Sequence, residues 1–173
     1  MSMLHLFRHA KSSAKGDVDD YERQLSRRGR ETARRVGKHL PAKLGAIDLV
    51  LCSSARRTRE TLELVLARFV PEPRILIEDE LYLAAPERLR MRLRRLDARD
   101  TNVLVIGHNS GLHDLAIALA DNDSPAFRAL ASSKFPTAAC ASFLVLPDWS
   151  ALGSSQLKLT DYITPESLAG EEE

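Results

Sequence analysis

Short apolar runs alternate along the chain with longer stretches in which apolar residues recur every three or four positions. Met3-Leu4-His5-Leu6-Phe7 reads as a first strand. Ser26 opens a helical pattern with Ala33, Val36 and Leu40 on one face and arginines on the other, and Pro41 marks its end. Ile47-Asp48-Leu49-Val50-Leu51-Cys52 predicts a second strand, followed by a helix through Thr61, Leu62, Val65 and Leu66. Arg74-Ile75-Leu76-Ile77 predicts a third. Val103-Leu104-Val105-Ile106 predicts a fourth, whose unbroken apolar character suits a parallel strand buried on both faces. A helix through Leu112, Leu115, Ala116 and Leu119 follows, and residues 141–146 and 157–163 supply two late strands. The alternation predicts an α/β fold: a three-layer α/β/α sandwich with a mostly parallel sheet.

One segment carries two periods. Arg88-Leu89-Arg90-Met91-Arg92-Leu93-Arg94 alternates as a strand would, yet Pro86 suits a first helical turn and Leu89, Leu93 and Leu96 keep helical spacing. A crossover of this length favours the helix. No repeat, linker or low-complexity block divides the chain, so residues 1–173 form one domain, with residues 164–173 expected as a solvated acidic tail.

Composition narrows the class. Of 173 residues, 44% are hydrophobic and 28% charged, a globular balance. The 25 Lys and Arg nearly cancel the 24 Asp and Glu, which argues against a nucleic-acid binder built on phosphate neutralisation. No apolar run reaches the roughly 20 residues of a membrane helix. Residues 1–9 are too short and too quickly charged for a secretory signal, and Cys52 and Cys140 sit in apolar runs as reduced core thiols. A cytoplasmic protein is expected, with no membrane and no nucleic acid among its partners.

Three clusters follow directly on predicted strands: Arg8-His9-Ala10-Lys11-Ser12-Ser13, Ser53-Ser54-Ala55-Arg56-Arg57 and Gly107-His108-Asn109-Ser110-Gly111. In open α/β sheets the carboxyl edge is where ligands bind. Arginine forks match phosphoryl oxygens, helix N-termini add N–H donors, and a neutral histidine nitrogen is a competent nucleophile at phosphorus. Nearby arginines lower a histidine pKa and keep the lone pair free. The convergence predicts phosphoryl transfer through a covalent phosphohistidine. A metal site among His5, His9, His108 and His113 is not expected from their spacing.

Leu6-Phe7-Arg8-His9-Ala10 resembles the Arg-His-Gly signature of the histidine phosphatase (phosphoglycerate mutase-like) superfamily. The stretch Leu51-Cys52-Ser53-Ser54-Ala55-Arg56-Arg57-Thr58-Arg59-Glu60-Thr61 resembles its second element, an arginine four residues before a threonine, which selects Arg57. Residues 103–109 resemble its third, an apolar strand ending in Gly-His-Asn. Together with Leu25-Ser26-Arg27-Arg28-Gly29, the chain is most similar to the small SixA-type phosphohistidine phosphatases over residues 3–163. The resemblance implies a phosphoglycerate mutase-like fold, His9 as nucleophile, and Arg8, Arg57, His108 and Asn109 around the phosphoryl oxygens, with no metal or other cofactor.

Two positions depart from the family pattern: Ala10 stands where a glycine is usual, and the acid of larger relatives falls near Glu78-Asp79-Glu80 without its motif. Glu80 is the candidate general acid, against the reading of a strand-end acid in solvent. Lys11 and Ser12, in the loop 11–23, are candidate site-loop contacts. Expelling imidazole from phosphohistidine needs an acid less than expelling an alkoxide. The expected substrate is therefore a phosphohistidine-bearing protein such as a histidine phosphotransfer domain. A small-molecule phosphomonoesterase on the same scaffold is the alternative. A phosphohistidine- or anion-binding module, docking an acidic partner through Arg27–Arg35 and Arg88–Arg95, is the reading from another class.

Overall fold

In the computed structural model, which describes residues 1–14, 16–146 and 148–172, six strands form one sheet in the order β3-β2-β4-β1-β5-β6. These are β1 (Ser2–Arg8), β2 (Leu49–Ser53), β3 (Arg74–Glu78), β4 (Asn102–Gly107), β5 (Cys140–Val145) and β6 (Lys158–Ile163). The pairings β3/β2, β2/β4 and β4/β1 are parallel, whereas β5 is antiparallel to both β1 and β6. The helices are α1 (Arg27–Leu44), α2 (Arg56–Leu66), α3 (Pro86–Arg94), α4 (Gly111–Leu119), α5 (Pro125–Ser132) and α6 (Pro165–Glu171).

Alternation along the central strands builds two cores. Leu4, Leu6, Leu51, Val103 and Val105 face Leu89 and Leu93 of α3, Leu112 and Leu115 of α4, and Leu130 of α5. Phe7, Val50, Cys52, Leu104 and Ile106 face Val36 and Leu40 of α1, Leu62 and Val65 of α2, and Leu168 of α6. Both cysteines are buried free thiols. The result is the expected three-layer sandwich, with helices α3, α4 and α5 on one face and α1, α2 and α6 on the other. Among the described residues no helix is long and apolar enough to cross a membrane.

Ser26 caps α1 as its spacing predicts, accepting from the Gly29 amide at 3.0 Å. The segment of double period is the helix α3, with Pro86 in its first turn. Three local expectations are corrected. Pro41 does not end α1, which continues through Leu44 and closes at Gly45, whose amide donates to the Pro41 carbonyl. A proline in the last turn forgoes one hydrogen bond but leaves the following carbonyl-to-amide closure intact. The stretch 120–139 contains a helix, α5, capped by Ser124, that the apolar pattern does not announce. The expected acidic tail is also a docked helix. Thr164 and Ser167 form a reciprocal cap, Leu168 is buried, and Lys43 and His39 of α1 pair with Glu171 and Glu172. Of the residues discussed above, Lys15 and Glu173 lie outside the described residues.

Candidate active site

The neighbours β2, β4 and β1 run parallel, so their carboxyl ends open on one rim. Arg8, the last residue of β1, stands opposite Gly107, the last of β4. The His9 amide donates to the Gly107 carbonyl at 3.1 Å. The next residue of each strand is a histidine, and the rings of His9 and His108 lie 5.3 Å apart between centroids. From β2 the chain passes through Ser53 into α2, which brings Arg57 to the same rim, 3% exposed. A cavity of about 310 Å³ opens there, lined by Arg8, His9, Lys11, Ser12, Arg57, His108 and Asn109 together with Asp20, Arg23, Leu83 and Thr137.

The tautomer of His9 follows from its partner. Its Nδ1 lies 2.6 Å from the Ala10 carbonyl, which can only accept, so Nδ1 carries the proton and Nε2 keeps its lone pair. Burial first, and then the charges of Arg57, Arg8 and Arg23, push the His9 pKa down to about 4 against the pull of that hydrogen bond. His108 is lowered to about 3 by burial and by His9 and Arg57 beside it. Its Nε2 shares a 2.7 Å hydrogen bond with Ser53 Oγ, and its Nδ1 has no partner among the described residues. Below pH 6.5 an ordinary histidine gains its proton; here the neutral form persists until the pH falls to about 4. An NMR titration should therefore move the His9 ring signals with a midpoint near 4. A midpoint near the ordinary value would contradict this arrangement.

One hydroxyl joins the loop after His9 to the helix that carries Arg57. Thr61 Oγ1 accepts from the Ala10 amide at 3.0 Å and donates to the Arg57 carbonyl at 2.7 Å. Ala10 is fully buried and does not adopt a left-handed backbone, so the methyl group in place of glycine carries no strain. Two glycines allow flanking helices to press on the site loops. A Cβ on Gly29 would sit 2.0 Å from the Lys11 carbonyl oxygen, and one on Gly111 would sit 1.9 Å from that of Ala84.

Two expected site residues are corrected. Glu80 is not among the residues lining the cavity: its carboxylate pairs with Arg95 at 2.7 Å and Arg92 at 3.4 Å, because residues 79–81 form a short helical turn that aims it at α3. Asn109 reaches the rim, but its amide nitrogen donates to the Lys134 and Phe135 carbonyls, so its donors are engaged within the chain and not directed at an anion. Lys11 and Ser12 do line the cavity, and Ser12 Oγ accepts from Arg23 at 2.8 Å.

Sequence reasoning missed Asp20, Arg23 and Tyr82. The Asp20 carboxylate accepts from Arg57 at 3.1 Å, from Arg23 at 3.1 Å and from the Tyr82 hydroxyl, while its carbonyl accepts from the other terminal nitrogen of Arg57 at 2.7 Å. These donors, the Tyr82 hydroxyl foremost, hold its pKa down to about 2. The Tyr82 ring also meets His108 edge-on, at 5.5 Å. The cluster of acids in the loop 11–23 and the aromatic after the third strand were the available signals. Neither has a spacing that announces a site. Among the described residues no group of three or more His, Cys, Asp or Glu side chains is placed to hold a metal.

Comparison with known proteins accords with this fold. The model of the histidine phosphatase superfamily (branch 1) matches residues 4–82. The uncharacterized protein Rv1276c of Mycobacterium tuberculosis is 34% identical over 160 residues, covering 91% of this chain and 99% of the relative. A protein provisionally named phosphohistidine phosphatase SixA, from Nakamurella multipartitia, superposes with a TM-score of 0.82 at 27% identity, covering 95% of this chain and 96% of the other. The protein histidine phosphatase SixA in complex with tungstate shares the fold at a TM-score of 0.76 and 23% identity, covering 96% and 99%.

Proposed function

The chain belongs to the histidine phosphatase superfamily, in its SixA-type branch, and on that footing we propose that it removes the phosphoryl group from a protein phosphohistidine through a covalent intermediate on His9. His9 Nε2 attacks phosphorus and forms a P–N bond as the bond to the substrate imidazole breaks. The bonding pair leaves on that imidazole nitrogen, which is protonated from solvent. Water then attacks the phosphoenzyme, the P–Nε2 bond breaks, and inorganic phosphate departs as His9 recovers its lone pair. Arg8 and Arg57 stabilise the charge that spreads over the phosphoryl oxygens in the loose transition state.

The observation that carries the choice of substrate is the state of the carboxylate on the rim. Among the described residues Asp20 is the one carboxyl lining the cavity, and its donors hold it ionised, with a pKa near 2. An alkoxide leaving group calls for an acid of pKa closer to the working pH, an effect of roughly 10²–10⁴ in rate. An imidazole protonates from water and leaves without one. The substrate class supported best is therefore a phosphohistidine protein, such as a histidine phosphotransfer domain, over a small alcohol phosphate.

A substrate panel tests this. A phosphohistidine protein should exceed sugar phosphates and nucleotides in kcat/KM by about 10² or more, the share an absent acid denies to the esters. Faster turnover of an alcohol phosphate would replace this reading with the phosphomonoesterase one.

A further inference from the structure

Beside the catalytic cavity lies a second, larger groove of about 600 Å³ whose lining includes Lys11, Arg28, Arg35, Thr137, Pro165 and Glu166. It adjoins the first, and Lys11 and Thr137 line both. Arg28, Thr32 and Arg35 are spaced i, i+4 and i+7 on α1 and so share one face of the helix. Arg35 is fixed as part of the wall, donating to the Pro165 carbonyl at 3.0 Å.

The cations of this face differ in what they meet. Arg27 pairs with Glu31, and Arg30 with Glu60. Arg28 and Lys11 are exposed, and among the described residues neither side chain has an acidic partner or a hydrogen bond. Three cations and one carboxylate, Glu166, thus line the groove. Arg35 lies seven positions after Arg28 on the helix, roughly 10 Å along its axis at 1.5 Å per residue. The cationic wall thus runs along about two turns of α1. Carboxylates distributed along a polypeptide match such a run, and their charge complements the wall.

We propose that this groove is a second recognition site, in which Arg28 and Lys11 take carboxylates of an acidic polypeptide segment that flanks the phosphohistidine seated at His9. The inference rests on the phosphoprotein reading above. It gives the arginine-rich face of α1 a role in choosing among phosphohistidine proteins, separate from the chemistry. Because both cations are exposed, the preference weakens as salt rises.

The test uses two peptides with the same phosphohistidine, one flanked by glutamates and one by glutamines. The quantity read is the ratio of their kcat/KM values on a single protein, so any change in the chemistry cancels. In the wild type the glutamate peptide should be preferred by about tenfold, one such step being 1.4 kcal/mol. The ratio should fall to about threefold in Arg28→Ala, where Lys11 remains, and to one or below in Arg28→Glu, where a carboxylate opposes it. Equal rates in the wild type, or a preference that survives Arg28→Glu, would overturn the proposal.

If neither peptide is hydrolysed, the phosphoprotein reading fails by itself. Fluorescence anisotropy of a labelled, unphosphorylated glutamate peptide then decides the groove. Tighter binding to the wild type than to Arg28→Glu supports it, and equal binding removes it.

Discussion

Replacing His9 with alanine abolishes the phosphoenzyme and lowers turnover by at least about a thousandfold, the loss typical of removing a covalent nucleophile. Among the described residues the other groups on the rim are at least partly committed to hydrogen bonds. His108, the nearest imidazole, has its Nε2 engaged by Ser53, and the rim carboxylate of Asp20 is held by Arg57, Arg23 and Tyr82. Incubation with a labelled phosphoryl donor, followed by denaturation in alkali, should leave label on the wild type and none on His9→Ala. Label retained by the variant, or turnover at the wild-type rate, would end the assignment of His9. The sheet should tolerate the change, because the hydrogen bonds that bind His9 and Ala10 into the rim, to Gly107, Ala138 and Thr61, use their backbone atoms and not the imidazole.

The second large loss is expected at Arg57. Its guanidinium is buried, with one donor of each terminal nitrogen directed at Asp20, which fixes the plane of the fork and leaves further N–H groups for the phosphoryl oxygens. Arg57→Ala should slow phosphoenzyme formation by about 10²–10³, the cost of deleting one preorganised charge from a site of this kind. Arg57→Lys restores the charge but cannot hold two bonds to Asp20 and present a planar fork at once, so it should recover only part of the rate. Single-turnover labelling separates this from slower hydrolysis of the intermediate. Full activity in Arg57→Lys would show that only charge matters here.

What the sequence made legible follows from how each residue is positioned. His9, Arg57 and His108 stand at or just beyond the ends of strongly apolar strands, so recognising β1, β2 and β4 was enough to bring them to one edge. Residues placed by loops were not legible. Asp20, Arg23 and Tyr82 reach the rim because the loop 11–23 is tied back to Lys11 through Ser26 and because α4 packs against the loop at Ala84, contacts that no local spacing encodes. Glu80 shows the converse. A carboxylate at a plausible distance from the third strand was drawn away by two arginines of the helical region that follows. The chain end was misjudged because its glutamates dominate the composition, while the signal that mattered was the cap at Thr164 and a single buried leucine.

The resting contact between Asp20 and Arg57 has a consequence for release. The free site already contains a tethered anion, supplied at the high effective concentration that a covalent connection confers. An incoming oxyanion binds beside this fixed negative charge, so the net gain is smaller for inorganic phosphate than the number of cations around the rim suggests. On the proposed reading, a phosphoryl group carried on a partner would have additional contacts with which to offset it, and free phosphate would not. The carboxylate thus acts on both halves of the cycle, steadying the arginine before the reaction and helping to evict the product after it.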